Sequence, residues 1–227
     1  MFLIAITQGW HPARSLWPTR GLRPQASCLA AGMATSGTVT KWLSELIGHG
    51  FSELTEQARR IPAGSKGLLL LPYFAGKRTP RFDVGARGVV AGLTLRHGQG
   101  HLYRAMLEGV AYGVRHNLDA TRAAGAHVDR LVAVGGGTTG GLWTQIVSDV
   151  TGLQQQVRRE TVGASYGDAM LAAQAICVTG AADWNPVSHI VVPDAAATGL
   201  HDRRFDSFLA LYDQTRAVIA DLAEDTI

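Results

Sequence analysis

Leu131-Val132-Ala133-Val134-Gly135-Gly136-Gly137-Thr138-Thr139-Gly140 is an apolar run that breaks into glycine and leads, from Gly141, into a helical pattern. Successive apolar residues suit a buried strand. Glycines at its end let backbone amides approach an anion with no Cβ in the way. A helix start adds unpaired N–H groups and the positive end of its dipole. Together these favour a phosphate, and Thr138 and Thr139 offer hydroxyl donors. Gly135, Gly136, Gly137, Thr138, Thr139, Gly140 and Gly141 are therefore the candidate phosphate-binding segment. The same residues read equally as a tight strand-to-helix turn with no ligand.

Two phosphate motifs compete for this chain. A Walker A loop fails, because Gly76-Lys77 is followed by Arg78 and no glycine lies five positions before Gly76. The dinucleotide fingerprint fits Gly135, Gly137 and Gly140, and Glu160 follows the next strand where a ribose-binding acid belongs. A dinucleotide-binding oxidoreductase is thus a rival. Against it, the fingerprint falls past the middle of the chain, and 27 glycines make chance matches easy.

Outward from the segment, strand and helix signals alternate. Leu68–Leu71, Gly88–Leu93, Arg130–Val134 and Gln154–Arg158 read as strands. Helical patterns run over about 38–47, 52–60, 99–124, 141–150, 165–179 and 203–223, with Ser52 as an N-cap and Gly125 as a C-cap. This alternation argues for an α/β domain with a mixed sheet flanked by helices. Residues 1–27, rich in Pro, Arg and Trp, read as an irregular segment with a strand only at Phe2–Ile6, the cut edge of a domain. Residues 28–227 read as the domain proper.

The bulk numbers exclude several classes. With 46% hydrophobic and 17% charged residues over 227 positions, the chain is globular rather than disordered. A net charge of +3 with scattered basic residues and no aromatic-basic stripe argues against nucleic acid. No apolar run reaches membrane-spanning length and the start lacks a signal pattern, so a soluble cytoplasmic protein is expected. Cys28 and Cys177 have no partner at metal spacing and read as free thiols.

Longer stretches carry a resemblance. Gly88-Val89-Val90-Ala91-Gly92-Leu93, then seven residues, then His101-Leu102-Tyr103-Arg104-Ala105-Met106-Leu107-Glu108 resembles the second signature of the FGGY carbohydrate kinases. Leu71-Pro72-Tyr73-Phe74-Ala75-Gly76-Lys77-Arg78-Thr79-Pro80 looks like that family's P-Y-x-x-G-E-R-x-P segment, with Lys77 where Glu is usual. Gly135–Gly137 through Leu142-Trp143-x-Gln145-Ile146 and Asp149, then Ala164 to Ala173, resemble its later segments, in a xylulokinase-like flavour. The likeness covers roughly residues 26–185 and implies a ribonuclease-H-like, actin-type ATPase domain, the C-terminal lobe of a two-lobed sugar kinase.

The resemblance implies ATP and Mg²⁺ as cofactors and a sugar as substrate, with Gly135–Gly141 at the nucleotide. It places the catalytic aspartate in the N-terminal lobe, outside this chain, so the isolated chain is expected to be inactive. That lobe, missing or separately encoded, is the expected partner; a homodimer stays open. A non-catalytic nucleotide-binding remnant is the alternative. Thr35-Ser36-Gly37 looks like the family's phosphate turn but is taken as a separate segment before a helix. Arg78 and Asp83 form a candidate cleft loop, although bracing and turn formation explain them well. Glu108 reads as a structural ion pair, Asp149 and Asp168 as capping or dipole residues, and Trp143 as core. His97 and His101 make no metal pair, and no metal site is assigned.

Overall fold

The computed structural model describes residues 1–22, 25–176 and 184–224. The chain opens with β1 (Phe2–Gln8), β2 (Trp17–Arg20) and β3 (Ala26–Gly32), followed by α1 (Gly37–Ile47) and α2 (Phe51–Arg59). β4 (Leu69–Leu71), β5 (Val89–Ala91) and the long α3 (Gln99–Ala123) form the middle. β6 (Leu131–Ala133), α4 (Leu142–Thr151), β7 (Gln155–Arg158), α5 (Ala164–Ala175), β8 (Val187–Val191) and α6 (Ala195–Glu224) complete it. β6 pairs parallel and β8 antiparallel with β7, the expected mixed sheet, while β4 and β5 form an antiparallel pair. Cys177 and the end of the helix read to Thr179 lie outside the described residues.

α3 is the centre of the core. From Tyr103 to Val114 every residue is buried, so this helix is covered on all sides rather than along one stripe. Its backbone lies directly against β4. A Cβ on Gly109 would sit 2.3 Å from the Leu70 carbonyl oxygen, so only glycine permits that approach. β4 itself is buried throughout, as its unbroken apolar run requires.

Glu108, beside that contact, is 2% exposed. Its carboxylate accepts Arg104 Nε at 2.9 Å, Gly64 N at 2.9 Å and Ser65 Oγ at 2.9 Å. It is the structural ion pair expected from the sequence. It also holds the turn before β4, where Ser65 and Lys66 take left-handed φ values of 48° and 50°.

Among the described residues before position 28, Phe2–Gln8, Trp17–Arg20 and the start of β3 are strands, so the segment is more regular than its composition suggests. β1, β2 and β3 form an antiparallel sheet in the order β1-β3-β2. β2 tolerates Pro18 because it is an edge strand. β3 is built of small residues with little intrinsic strand preference, and pairing on both sides overrides that. Its inner face packs on the end of α3 through Leu16, Leu29, Ala31 and Ala126. The outer face of β1 leaves Phe2, Ile4 and Ile6 64%, 61% and 77% exposed.

Three further expectations are corrected. Ser52 lies inside α2, whose N-cap is Gly50. β8, unforeseen, is a further strand bonded to β7. α6 begins at Ala195 rather than near Arg203, because Asp194 Oδ1 accepts the amide of Ala196 at 2.9 Å and three alanines follow.

α6 closes the core over the loop before β5. His201, fully buried, lies 3.0 Å from Tyr112 Oη through Nδ1. Arg81 pairs with Asp213 at 2.7 Å and Arg115 with Asp202 at 2.7 Å. Lys77 is 4% exposed, and its ammonium sits 3.8 Å from the Tyr212 ring centre and 4.9 Å from that of Tyr73. Aromatic faces attract a cation and repel a carboxylate, which suits Lys at this position better than Glu. Burial, then Arg81, pulls Lys77 down to about 8; burial, then Lys77, pulls His116 down to about 4.

In both cases the unfolded chain holds its proton at a pH where the folded chain has released it. Stability therefore rises with pH through the window between the folded and unfolded values. For His116 that window runs from about 4 up to 6.5, and for Lys77 it starts at about 8. Urea midpoints should climb across both, and Lys77→Met should flatten the climb above pH 8 when measured up to pH ~9.5, below ordinary tyrosine ionisation. Gly109→Ala should lower unfolding free energy by about 1–3 kcal/mol through overpacking against β4. Glu108→Ala should cost about 3–5 kcal/mol, because Arg104 is left buried and unpaired. Denaturant unfolding of the purified chain checks both.

Candidate functional site

β6 ends at Ala133 and delivers the glycine segment to the start of α4. Gly135 has φ 88° and its amide donates to Thr161 O at 2.6 Å, which ties the segment to the residues after β7. Gly136–Thr138 make a single 3₁₀ turn, closed by Thr138 Oγ1 on Gly135 O at 2.8 Å. Gly140 and Gly141 follow with left-handed φ values of 83° and 74°. Two such residues in succession exclude almost any side chain but hydrogen. Gly141 is the N-cap of α4, and its carbonyl accepts Gln145 N at 3.0 Å and Thr144 Oγ1 at 2.9 Å.

The segment is open on one side. Among the described residues beyond the chain neighbours, no atom lies within 4 Å of where a Cβ would stand on Gly135, Gly136, Gly140 or Gly141. Among the described residues, no backbone acceptor takes the amides of Gly136, Gly137, Gly140 or Gly141. Gly137 differs: a Cβ there would meet the indole of Trp143 at 2.7 Å. Trp143 is partly buried against the core, as read from the sequence, and its edge also floors the turn. Arg59, at the end of α2, donates from Nη2 to Gly140 O at 2.8 Å. Sequence reading missed it, since nothing local links positions 59 and 140.

The cleft-loop candidates lie elsewhere. Asp83 exchanges two backbone bonds with Lys77, at 2.7 and 2.9 Å, closing the loop between them. Its carboxylate accepts Gly85 N at 3.1 Å and Tyr212 Oη at 2.5 Å, with Arg216 Nε at 3.3 Å. Burial alone would raise this carboxyl, but Tyr212, Arg216 and the Gly85 and Ala86 amides outweigh it and hold it below the usual range. Asp83 is thus an ionised anchor for α6, poorly suited to take a proton. A cavity of about 90 Å³ beside it, bounded by Arg87, Val89, Tyr212 and Arg216, is too small for a nucleotide. Arg78 is exposed. No hydrogen bond or ion pair joins Arg78 or Asp83 to the glycine segment among the described residues.

Other sequence candidates settle into structural places. Thr35 is buried with its hydroxyl donating to Pro72 O, and Ser36 precedes α1. Asp149 is no helix cap: its Oδ1 accepts Gln145 Nε2 at 2.8 Å and Asp194 N at 2.8 Å, fixing the turn into α6. Asp168 is exposed in the second turn of α5. Backbone bonds of Glu160 go to Asn185, and β8 runs antiparallel where a dinucleotide fold would continue parallel.

Comparison with known proteins gives the same fold. Residues 3–176 match the FGGY family of carbohydrate kinases, C-terminal domain. Xylulose kinase of Staphylococcus epidermidis is 29% identical over 204 residues, covering 86% of this chain and 40% of its own length. That of Escherichia coli K12 is 29% identical over 206 residues, covering 87% of this chain and 42% of its own. The crystal structure of xylulose kinase from Rhodospirillum rubrum superposes with a TM-score of 0.85 at 29% identity, over 96% of this chain and 46% of that one. The chain therefore spans less than half the length of these relatives. A family match over more than half of the chain, on an actin-type mixed α/β fold, makes this protein a member of the FGGY family of carbohydrate kinases.

Proposed function

We propose that this chain is the nucleotide-binding lobe of an ATP-dependent kinase for a pentulose or related sugar, acting in the cytoplasm. The observation that carries this reading is the open glycine turn at the start of α4, where the amides of Gly136, Gly137, Gly140 and Gly141 have no backbone acceptor among the described residues. Such a turn admits a nucleotide backbone-close and offers it the positive end of a helix. Gly135–Gly141 would hold the nucleotide, and Trp143 sets the depth of the turn at Gly137.

Bound Mg·ATP would supply the phosphoryl group for transfer. No cluster of three or more His, Cys, Asp or Glu side chains suited to a metal occurs among the described residues. Mg²⁺ is thus expected on the nucleotide phosphates, as such ions commonly are. Transfer also needs a base for the sugar hydroxyl. Glu108 and Asp83 are both engaged structurally, so neither supplies it. The base is assigned to a second, N-terminal lobe, and the chain alone is expected not to turn over.

The open outer face of β1 supports a partner. Phe2, Ile4 and Ile6 point outward together, with Trp17 beside Phe2 at a ring separation of 6.3 Å. An apolar stripe of this kind marks a contact surface more often than a solvated one. Ile4→Lys with Ile6→Lys should leave unfolding free energy within about 0.5 kcal/mol. The same change should prevent association with a separately expressed N-terminal lobe, measured by size-exclusion chromatography.

Calorimetric titration with Mg·ADP, Mg·ATP and NADH tests the nucleotide reading. Both adenine nucleotides should bind the wild type and NADH should not. Gly136→Val, which puts a side chain into the open side of the turn, should weaken nucleotide binding at least tenfold, a loss of about 1.4 kcal/mol, with an unchanged unfolding midpoint. Binding of NADH, or no heat from either adenine nucleotide, would sink it.

A further inference from the structure

We infer that Arg59 is a positioning residue for the nucleotide, an inference that rests on the reading of the glycine turn as the nucleotide site. Arg59 closes α2, and its Nη2 donates to Gly140 O at 2.8 Å across 81 positions of sequence. Among the described residues it is the only side chain from beyond the segment and α4 that bonds Gly135–Gly141. The same carbonyl also accepts Leu142 N at 2.9 Å.

The consequence follows from peptide geometry. A trans peptide unit is planar, and its N–H points opposite to its C=O. Drawing the Gly140 carbonyl toward α2 therefore turns the Gly141 N–H the other way, out of the turn. That amide has no backbone acceptor among the described residues. Side-chain packing gives little support here: among the described residues beyond the chain neighbours, nothing lies within 4 Å of where a Cβ would stand on either glycine. Glycine peptides flip easily when unsupported, so the charge-assisted bond from Arg59, with Leu142 N on the same oxygen, holds the orientation.

Arg59 itself is prepared for the task. Its Nε lies 3.7 Å from Glu56 Oε2, and Glu56 also holds Arg60 at 3.4 Å. This pairing orients the guanidinium fork without burying it: the side chain stays 49% exposed. Arg59 acts through the Gly140 carbonyl and needs no contact with the phosphates.

Calorimetry on the full chain, with AMP, ADP and ATP as ligands, tests this. Arg59→Met should weaken all three by roughly the same factor, on the order of tenfold for one lost charge-assisted bond. Arg59→Lys should recover part of that loss. The unfolding midpoint should not move, and in a ¹⁵N–¹H spectrum the Gly141 amide should shift in Arg59→Met before any ligand is added. A loss that grows with the number of phosphates would mean direct contact and overturn the positioning role. Unchanged affinity in Arg59→Met, with wild type binding normally, would overturn this inference alone. Failure of the wild type to bind any adenine nucleotide would overturn the site assignment and this inference with it.

Discussion

The approach of α3 to β4 at Gly109 is the constraint from which most of the architecture follows. With no side chain between them, helix and strand backbones meet directly, and the neighbouring positions must then arrange themselves around that line. Glu108, one residue away, faces the turn that feeds β4 and binds it through Gly64 and Ser65. Tyr112, one turn further on, reaches His201 and so seats α6. Asn117 takes the Thr79 hydroxyl at 2.7 Å, and Thr79 in turn bonds Gly32 at the end of β3. A single helix thus reaches the N-terminal sheet, the β4 turn and the closing helix through successive turns of one spiral. This explains why buried polar residues concentrate along it: each satisfies backbone or side-chain groups that the close packing has cut off from water.

Much of this was legible in the sequence because the signals were local. The Leu68–Leu71 run, the glycine segment and the long period-3.6 stripe of α3 each carry their own periodicity or punctuation. What stayed hidden depended on partners distant in the chain. β3 is Ala-Ser-Cys-Leu-Ala-Ala-Gly, a composition that becomes a strand only when β1 and β2 flank it. β8 needs β7 for the same reason. The start of α6 was locally marked, by Asp194 and three alanines, and the apolar pattern beginning later drew attention away from it.

The candidate site divides along the same line. Gly135–Gly141 could be singled out because glycine content speaks directly to backbone conformation. Arg78 and Asp83 drew notice as charges in a loop, yet the charge of Asp83 meets Tyr212 and Arg216 of α6, elements more than a hundred residues away. Lys77 is instructive: the departure from the family pattern finds its account in two aromatic rings, Tyr73 four residues back and Tyr212 on the distant α6.

The three-stranded sheet carries one more implication. β1 stands at its edge, with one side of its backbone unpaired among the described residues and Phe2, Ile4 and Ile6 turned outward. An edge of this kind templates pairing with any other extended chain. Two molecules meeting edge to edge would extend the sheet while leaving both apolar stripes exposed on its faces, ready for further association. Encounter frequency rises with the square of concentration, so the protein's soluble yield should fall as its expression climbs, unless a complementary chain is made in step with it.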